Sequence, residues 1–308
     1  MVKKQRDGFQ VCQKKINKAM KKKLKVRGLK VPPSIILSHF CNDYRIKNFY
    51  DVSFCLWENK NHQDKELEEF DFDLCIIPTN LSYKLYKSGY PLKLLCVNIW
   101  GILHIMSKRE ILFSWNSLDG KSIAIPMKGN MHDTIFNVLA SKNDCDMEKF
   151  DVIYCESYSE AYKFLIKGKV DFAVLPEPYA SDIELNGFNR VLNLQDNWGR
   201  SFNSKPRYPQ ACAVVNNKFD LDEYRNFFNV LQSSSKKIYD ERKTSSKIGQ
   251  SLLGIDSKII NNSFKYCNLE TISGSDSLEE IQLFFEILNS FSNNINNEFI
   301  LDSNFIAL

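Results

Sequence analysis

The sequence predicts an α/β protein built as two domains. Three observations carry that prediction. The middle third alternates short apolar runs with stretches of helical spacing. Several apolar runs end in loops rich in Pro, Gly and Asn. The chain has 308 residues, which suits two domains better than one core.

Residues 1–22 read as a basic tail. Ile16, Met20 and Leu24 fall four apart among lysines, so either a basic amphipathic helix or a frayed terminus fits. Phe72–Ile77 reads as a strand broken by Pro78-Thr79-Asn80. Leu81 and Leu85 continue at helical spacing to Gly89. Leu92–Ile105 is a long apolar stretch with a bend at Gly101. Lys121–Ile125 is a strand, Pro126–Met131 a loop and His132–Ser141 a helix with Ile135, Val138 and Leu139 on one face. Asp151–Cys155 is the next strand. Ser157 and Glu160 form a capping box that opens a helix ending at Gly168. Val170–Leu175 follows, closed by Pro176-Glu177-Pro178. Right-handed crossovers make the strands of this β-α-β-α-β unit parallel. Ala211–Val215 is a further apolar run. Asp222–Tyr239 and Ser277–Phe291 are long amphipathic helices joined by a Ser/Lys/Gly-containing stretch at 243–257, and 292–304 reads as a frayed, Asn-rich end.

The formal charge of +4 belongs to the head. Residues 1–30 hold twelve Lys/Arg and one acid, leaving 29 basic and 36 acidic residues, about −7, on the rest. A body of that sign argues against a nucleic-acid partner. No run of 18 or more apolar residues occurs, so no spanning helix is expected. The nine cysteines (12, 41, 55, 75, 96, 145, 155, 212, 267) form no Cys-x-x-Cys pair. They read as small buried hydrophobes in a reducing compartment, and the four separated histidines (39, 62, 104, 132) leave no expected metal site. The basic start lacks the apolar run of a secretory signal, and no lipid-attachment sequence surrounds Cys12, so the chain as written is expected in the cytoplasm.

Three irregular segments each follow a strand: Pro78-Thr79-Asn80, Lys128 to Asp133, and Pro176-Glu177-Pro178. In open α/β sheets the carboxyl ends of strands form the ligand crevice. Helix starts after the first two suit an anionic group. Gly129 permits close backbone approach, and Thr79 and Asn80 bring polar side chains. Plainer readings remain open beside these: Asn80 as a helix cap, Gly129 as a turn, Glu177 as a rigid corner facing solvent, His132 as a polar helix start. Trp57, Trp100 and Trp198 could stack on a ring or fill the core. Gly-x-Ser-x-Gly, Walker, Gly-x-Gly-x-x-Gly and His-Glu-x-x-His motifs are absent from the sequence.

FDLCIIPTNLSYKLYKSGYPLKLLCVNIWG (72–101), SLDGKSIAIPMKGNMHDTIFNVL (117–139), SEAYKFLIKGKVDFAVLPEPYAS (159–181) and YPQACAVV (208–215) come in the order seen in one family. Together they make residues 23–240 resemble ABC-transporter substrate-binding proteins of the nitrate/sulfonate/thiamine-precursor group. The resemblance implies a type 2 periplasmic-binding-protein fold, a venus flytrap. Lobe 1 would be 23–105 plus 213–308 and lobe 2 106–212, with hinge crossings near Ser107 and Ala211. A small solute, anionic or heteroaromatic, would sit between lobes. Thr79, Asn80, Trp100 and Gly101 would contact it from one side, and Gly129, Asn130, Met131 and Glu177 from the other. The protein would be a monomer without cofactor or catalytic residue, handing its solute to a membrane ABC permease. Family members are exported to the periplasm or cell surface, whereas this sequence shows no export signal. A cytoplasmic enzyme of the same fold, of the pyrimidine-precursor or menaquinone-route type, and a cytoplasmic ligand sensor are the alternatives.

Overall fold

The computed structural model describes residues 21–58, 60–291 and 301–308. Two mixed sheets form the frame. In the first, β1 (Lys22–Leu29) runs parallel to both β2 (Tyr50–Trp57) and β3 (Leu74–Pro78). Strand β10 (Ala211–Asn216) lies antiparallel between β3 and β4 (Leu92–Ile99), and the short β11 (Ile272–Ser273) borders β4. The order is β11-β4-β10-β3-β1-β2. The second sheet has β5 (Leu103–Ser107), β6 (Ser122–Pro126), β7 (Asp151–Cys155), β8 (Phe172–Pro176) and β9 (Asn189–Asn193) in the order β7-β6-β8-β5-β9. Strands β6, β7 and β8, read from the sequence as one βαβαβ unit, are parallel to one another.

Helices cover the sheets: α1 (Ser34–Asn42), α2 (Tyr44–Lys47), α3 (Lys60–Glu68), α4 (Thr79–Lys87), α5 (Met131–Lys142), α6 (Tyr158–Ile166), α7 (Tyr179–Leu185), α8 (Leu194–Phe202), α9 (Leu221–Asp240), α10 (Arg242–Leu253), α11 (Ser257–Ser263) and α12 (Leu278–Phe291). Their ends follow local chemistry. Asp220 caps α9 with a full capping box to Glu223. Ser157 Oγ accepts from Glu160 N at 3.2 Å, but the Glu160 carboxylate turns to Glu156 N at 2.8 Å, so only half of the expected box at α6 forms.

Four expectations change. The stretch 243–257 is helical over most of its length, as α10, because Ser245, Ser246 and Gly249 are its buried face. A Cβ on Gly249 would lie 2.8 Å from Ile35 Cδ1, so these small residues serve close helix packing and not flexibility. Leu24 belongs to β1 and is fully buried, which ends any tail helix before it; residues 1–20 lie outside the described region. Residues 301–304 are not frayed: Asp302 accepts from Tyr86 Oη at 2.6 Å, and Phe305 is fully buried. Residues 292–300 lie outside the described region. Finally, the chain leaves the first sheet at Ile99 and enters the second at Leu103, earlier than the crossing expected near Ser107, since Leu103–Ser107 pairs with β8 and β9.

Between the sheets the chain passes along Trp100-Gly101-Ile102 and returns along 203–210. One apolar cluster runs through both halves, from Leu94 and Val97 past Trp100 and Leu103 to Ile123 and Phe136. Each such buried side chain contributes roughly 1.5–3 kcal/mol, so the seam between the halves is core as well as connection.

Candidate functional site

Parallel pairing decides which loops meet. The register Gly28↔Ile76 brings the ends of β1 and β3 to one edge of the first sheet, and Ala211 pairs with both Pro78 and Ile99 there. In the second sheet, Ala124↔Ala173 places the ends of β6 and β8 on one edge, where β5 begins opposite Pro176. The two crossings join these edges.

Glutamines knit the crossings together. Gln210 Oε1 accepts from Ile102 N at 3.0 Å, and Gln210 O accepts from Thr79 N at 3.2 Å. Gln195 Oε1 accepts from Leu103 N at 3.0 Å and from Tyr208 Oη at 2.9 Å, while its Nε2 donates to Leu103 O at 3.1 Å. Ile102 O accepts from Glu177 N at 3.0 Å. Backbone and amide groups therefore link the Thr79 and Glu177 loops through the crossing strands. Gly101 sits at φ +107° against Gln195, where any Cβ would overlap the glutamine Cγ.

The residues singled out in the sequence fall into three settings. Thr79 is fully buried, and its Oγ1 has no partner of normal geometry; the neighbouring Cys212 thiol donates to Ser82 Oγ at 3.2 Å. Asn80 is half-buried in the first turn of α4, where its Oδ1 accepts from Leu81 N at 2.9 Å; the N-cap position belongs to Pro78 and not to Asn80. Trp100 is fully buried, with Nε1 donating to Glu270 O at 2.9 Å and the Arg207 guanidinium 4.2 Å from its ring. Trp57 and Trp198 are buried too, so all three tryptophans are core residues.

On the second sheet, Gly129 is exposed at φ +78° and donates from N to Asp133 Oδ2 at 2.8 Å. Asn130 is the N-cap residue of α5, but its side chain makes no capping bond. Met131 is buried. Asp133 also accepts from Asn137 Nδ2 and Tyr154 Oη, so it organises the loop. His132 stands at the start of α5 as expected and is buried there; its Nε2 is 3.1 Å from Tyr158 Oη, and burial pushes its pKa down to about 4.

Glu177 is 1 % exposed, which excludes a corner facing solvent. Its Oε1 lies 2.7 Å from Arg190 Nη1, an ion pair whose angles fall outside hydrogen-bond geometry, and 3.7 Å from His104 Nε2. Ser181 N donates to Oε2 at 3.2 Å. Burial raises the Glu177 pKa, against the opposing pull of Arg190. Burial and then Arg190 hold His104 well below its ordinary value, so its ring is neutral. Tyr266, from the turn after α11, covers this group: the Arg190 guanidinium lies 3.6 Å from its ring centre and the His104 ring meets it edge-on. His104, Arg190 and Tyr266 were not singled out as ligand contacts in the sequence. Only His104 left a signal, as a histidine inside the apolar run Leu103–Met106.

Seven of the eight cysteines in the described region are buried and all eight are free; burial pushes Cys41 and Cys212 up to about 12. Such thiols are inert. No described helix is long and apolar enough to cross a membrane.

No family model matches this chain, and no curated protein does. Solved structures do. An ABC transporter protein from Parabacteroides distasonis superposes with a TM-score of 0.76 at 19 % identity, covering 92 % of this chain and 98 % of its own. The periplasmic aliphatic sulphonate-binding protein SsuA of Escherichia coli gives 0.66 at 13 %, covering 90 % and 94 %. The desulfurization enzyme DSZB gives 0.62 at 10 %, covering 88 % and 93 %. The chain thus has the periplasmic-binding-protein fold that its sequence resemblance implied. Of these three neighbours one is described as an ABC transporter, one as a binding protein and one as an enzyme. At such identities the likeness establishes the fold alone.

Proposed function

We propose that this chain captures a small solute between its two lobes and presents it to an ABC permease in a membrane, without catalysis. The observation that carries this reading is the group at the seam. His104 holds two buried ring nitrogens without hydrogen-bond partners beside the buried Glu177–Arg190 ion pair, directly under Tyr266 of the other half. Leaving such atoms unmet costs roughly 1–3 kcal/mol each, a cost a bound polar solute would remove. The start of α5, without a side-chain cap at Asn130, offers backbone N–H groups to an anionic part of that solute. On this reading lobe 1 carries the six-stranded sheet, lobe 2 the five-stranded sheet, and Asn80, Gly129, Asn130 and Glu177 line the cleft. Thr79, Trp100, Gly101 and Met131 support it from behind. The place of action would be the periplasm or cell surface.

Native mass spectrometry of the purified protein, before and after mild unfolding, tests the reading. A bound species of defined mass, released intact and lost in Glu177→Gln, is the expected result. An empty protein that also shows no thermal shift with sulfonates, nitrate, pyrimidines or amino acids would overturn it.

A further inference from the structure

A partly apolar cavity lies away from the seam, at the other edge of the second sheet, where β5 ends and β6 and β8 begin. Its volume is about 480 Å³. Leu165, Val170 and Phe172, all buried, form its floor, and Ile111 forms one wall. Leu112 stands on the rim, fully exposed.

Lys108, Arg109 and Lys121 also line the cavity, and none forms an ion pair within the described residues. The acid among the lining residues, Asp171, is engaged: its Oδ2 accepts from Ser122 N at 3.0 Å and Ser122 Oγ at 3.2 Å. Exposed Glu110 lies in the same loop but outside the lining. The cavity thus joins a greasy floor to a rim of unpaired cations, on a body whose residues 31–308 are net acidic.

We propose that this cavity binds a free single-chain anionic amphiphile. Its alkyl chain would lie on the Leu165–Val170–Phe172 floor under Leu112, and its carboxylate or sulfate between Lys108, Arg109 and Lys121. A bilayer is disfavoured as the source, because Leu165, Val170 and Phe172 are buried within the cavity, where a single chain can reach them and a flat membrane surface cannot. The site is independent of solute capture at the seam.

Isothermal titration calorimetry with sodium dodecanoate tests the proposal. Wild type should show one saturable site. The double variant Lys108→Glu/Lys121→Glu should bind about tenfold more weakly or worse, and Lys108→Arg/Lys121→Arg should bind as wild type does. Both pairs change surface side chains, and an unchanged thermal midpoint verifies folding. Equal affinity in the charge-reversed variant, equal affinity for neutral dodecyl maltoside, or no saturable heat would overturn the proposal. Co-sedimentation with phosphatidylglycerol vesicles in the absence of dodecanoate binding would also overturn it, assigning the patch to a membrane surface.

Discussion

His132 shows how the surroundings of one side chain set a measurable property. It opens α5, where a polar residue ordinarily meets water, yet here it is buried against Tyr158. Removal from water disfavours imidazolium, and the pKa falls to about 4. In the unfolded chain the ring titrates near 6.5. Between those values the unfolded state binds a proton that the folded state refuses. The group's contribution is therefore complete above pH 6.5 and is lost as pH falls toward 4. From pH 7 to pH 5 that amounts to about 2 kcal/mol. Urea denaturation at both pH values should show wild type losing about 2 kcal/mol more than His132→Asn. His39 and His104 are also pushed down by burial, but they are common to both proteins and cancel. Equal losses would mean that water reaches the ring. Backbone conformation gives a second test at this scale. Gly101 and Gly129 both have positive φ, but only Gly101 faces an obstacle, Gln195. Gly129→Ala should cost about 1 kcal/mol from backbone strain alone. Gly101→Ala should cost about 1–3 kcal/mol more, through overlap with Gln195. Equal unfolding midpoints for the two variants would show that Gln195 can step aside.

Single elements were legible where the signal was local. Strand β6, helix α5, strand β7, helix α6 and strand β8 announced themselves through apolar period and end chemistry, with β7 matching at both ends and the other boundaries within two residues. Helix α10 did not. Its Ser245, Ser246 and Gly249 look like linker composition, and only the approach of Ile35 and Ile260 explains why small residues stand there. A Cβ at Gly249 would lie 2.8 Å from Ile35 Cδ1 and 3.0 Å from Ile260 Cδ1. Glycine in a helix interior ordinarily costs about 1 kcal/mol against alanine, so its use here marks packing that outweighs propensity. Gly249→Val should destabilise by about 1–3 kcal/mol, read by thermal or urea unfolding. A stabilised variant would mean that α10 sits more loosely on α1 than these distances allow.

At the scale of the whole molecule, legibility divides along sequence distance. The loops carrying Thr79 and Asn80, Gly129 to Met131, and Glu177 each follow a strand, so a sequence pattern could place them at strand ends. The group that fills the seam draws on positions 104, 177, 190 and 266, from two strands, the turn after β8 and the turn after α11, and no spacing rule joins those. Its geometry bears on how firmly the halves are held. Tyr266 belongs to the half containing the first sheet, and Arg190 and Glu177 to the other. The stack of Arg190 on Tyr266 is worth roughly 0.5–2 kcal/mol, a factor of about 2–30 in the balance between apposed and separated halves. Other contacts oppose separation: Trp198 meets Phe284 at 5.8 Å between centroids, and Arg207 pairs with Glu280. Tyr266→Ala should therefore shift the population toward separated halves without unfolding either, seen as a larger radius of gyration in small-angle X-ray scattering. Uncovered, Glu177 would also regain water, and its raised pKa should fall back toward the ordinary carboxylate range. An unchanged radius together with an unchanged Glu177 titration would show that the glutamine-knit crossings and the α12 contacts alone set the apposition, leaving Tyr266 as filling rather than latch.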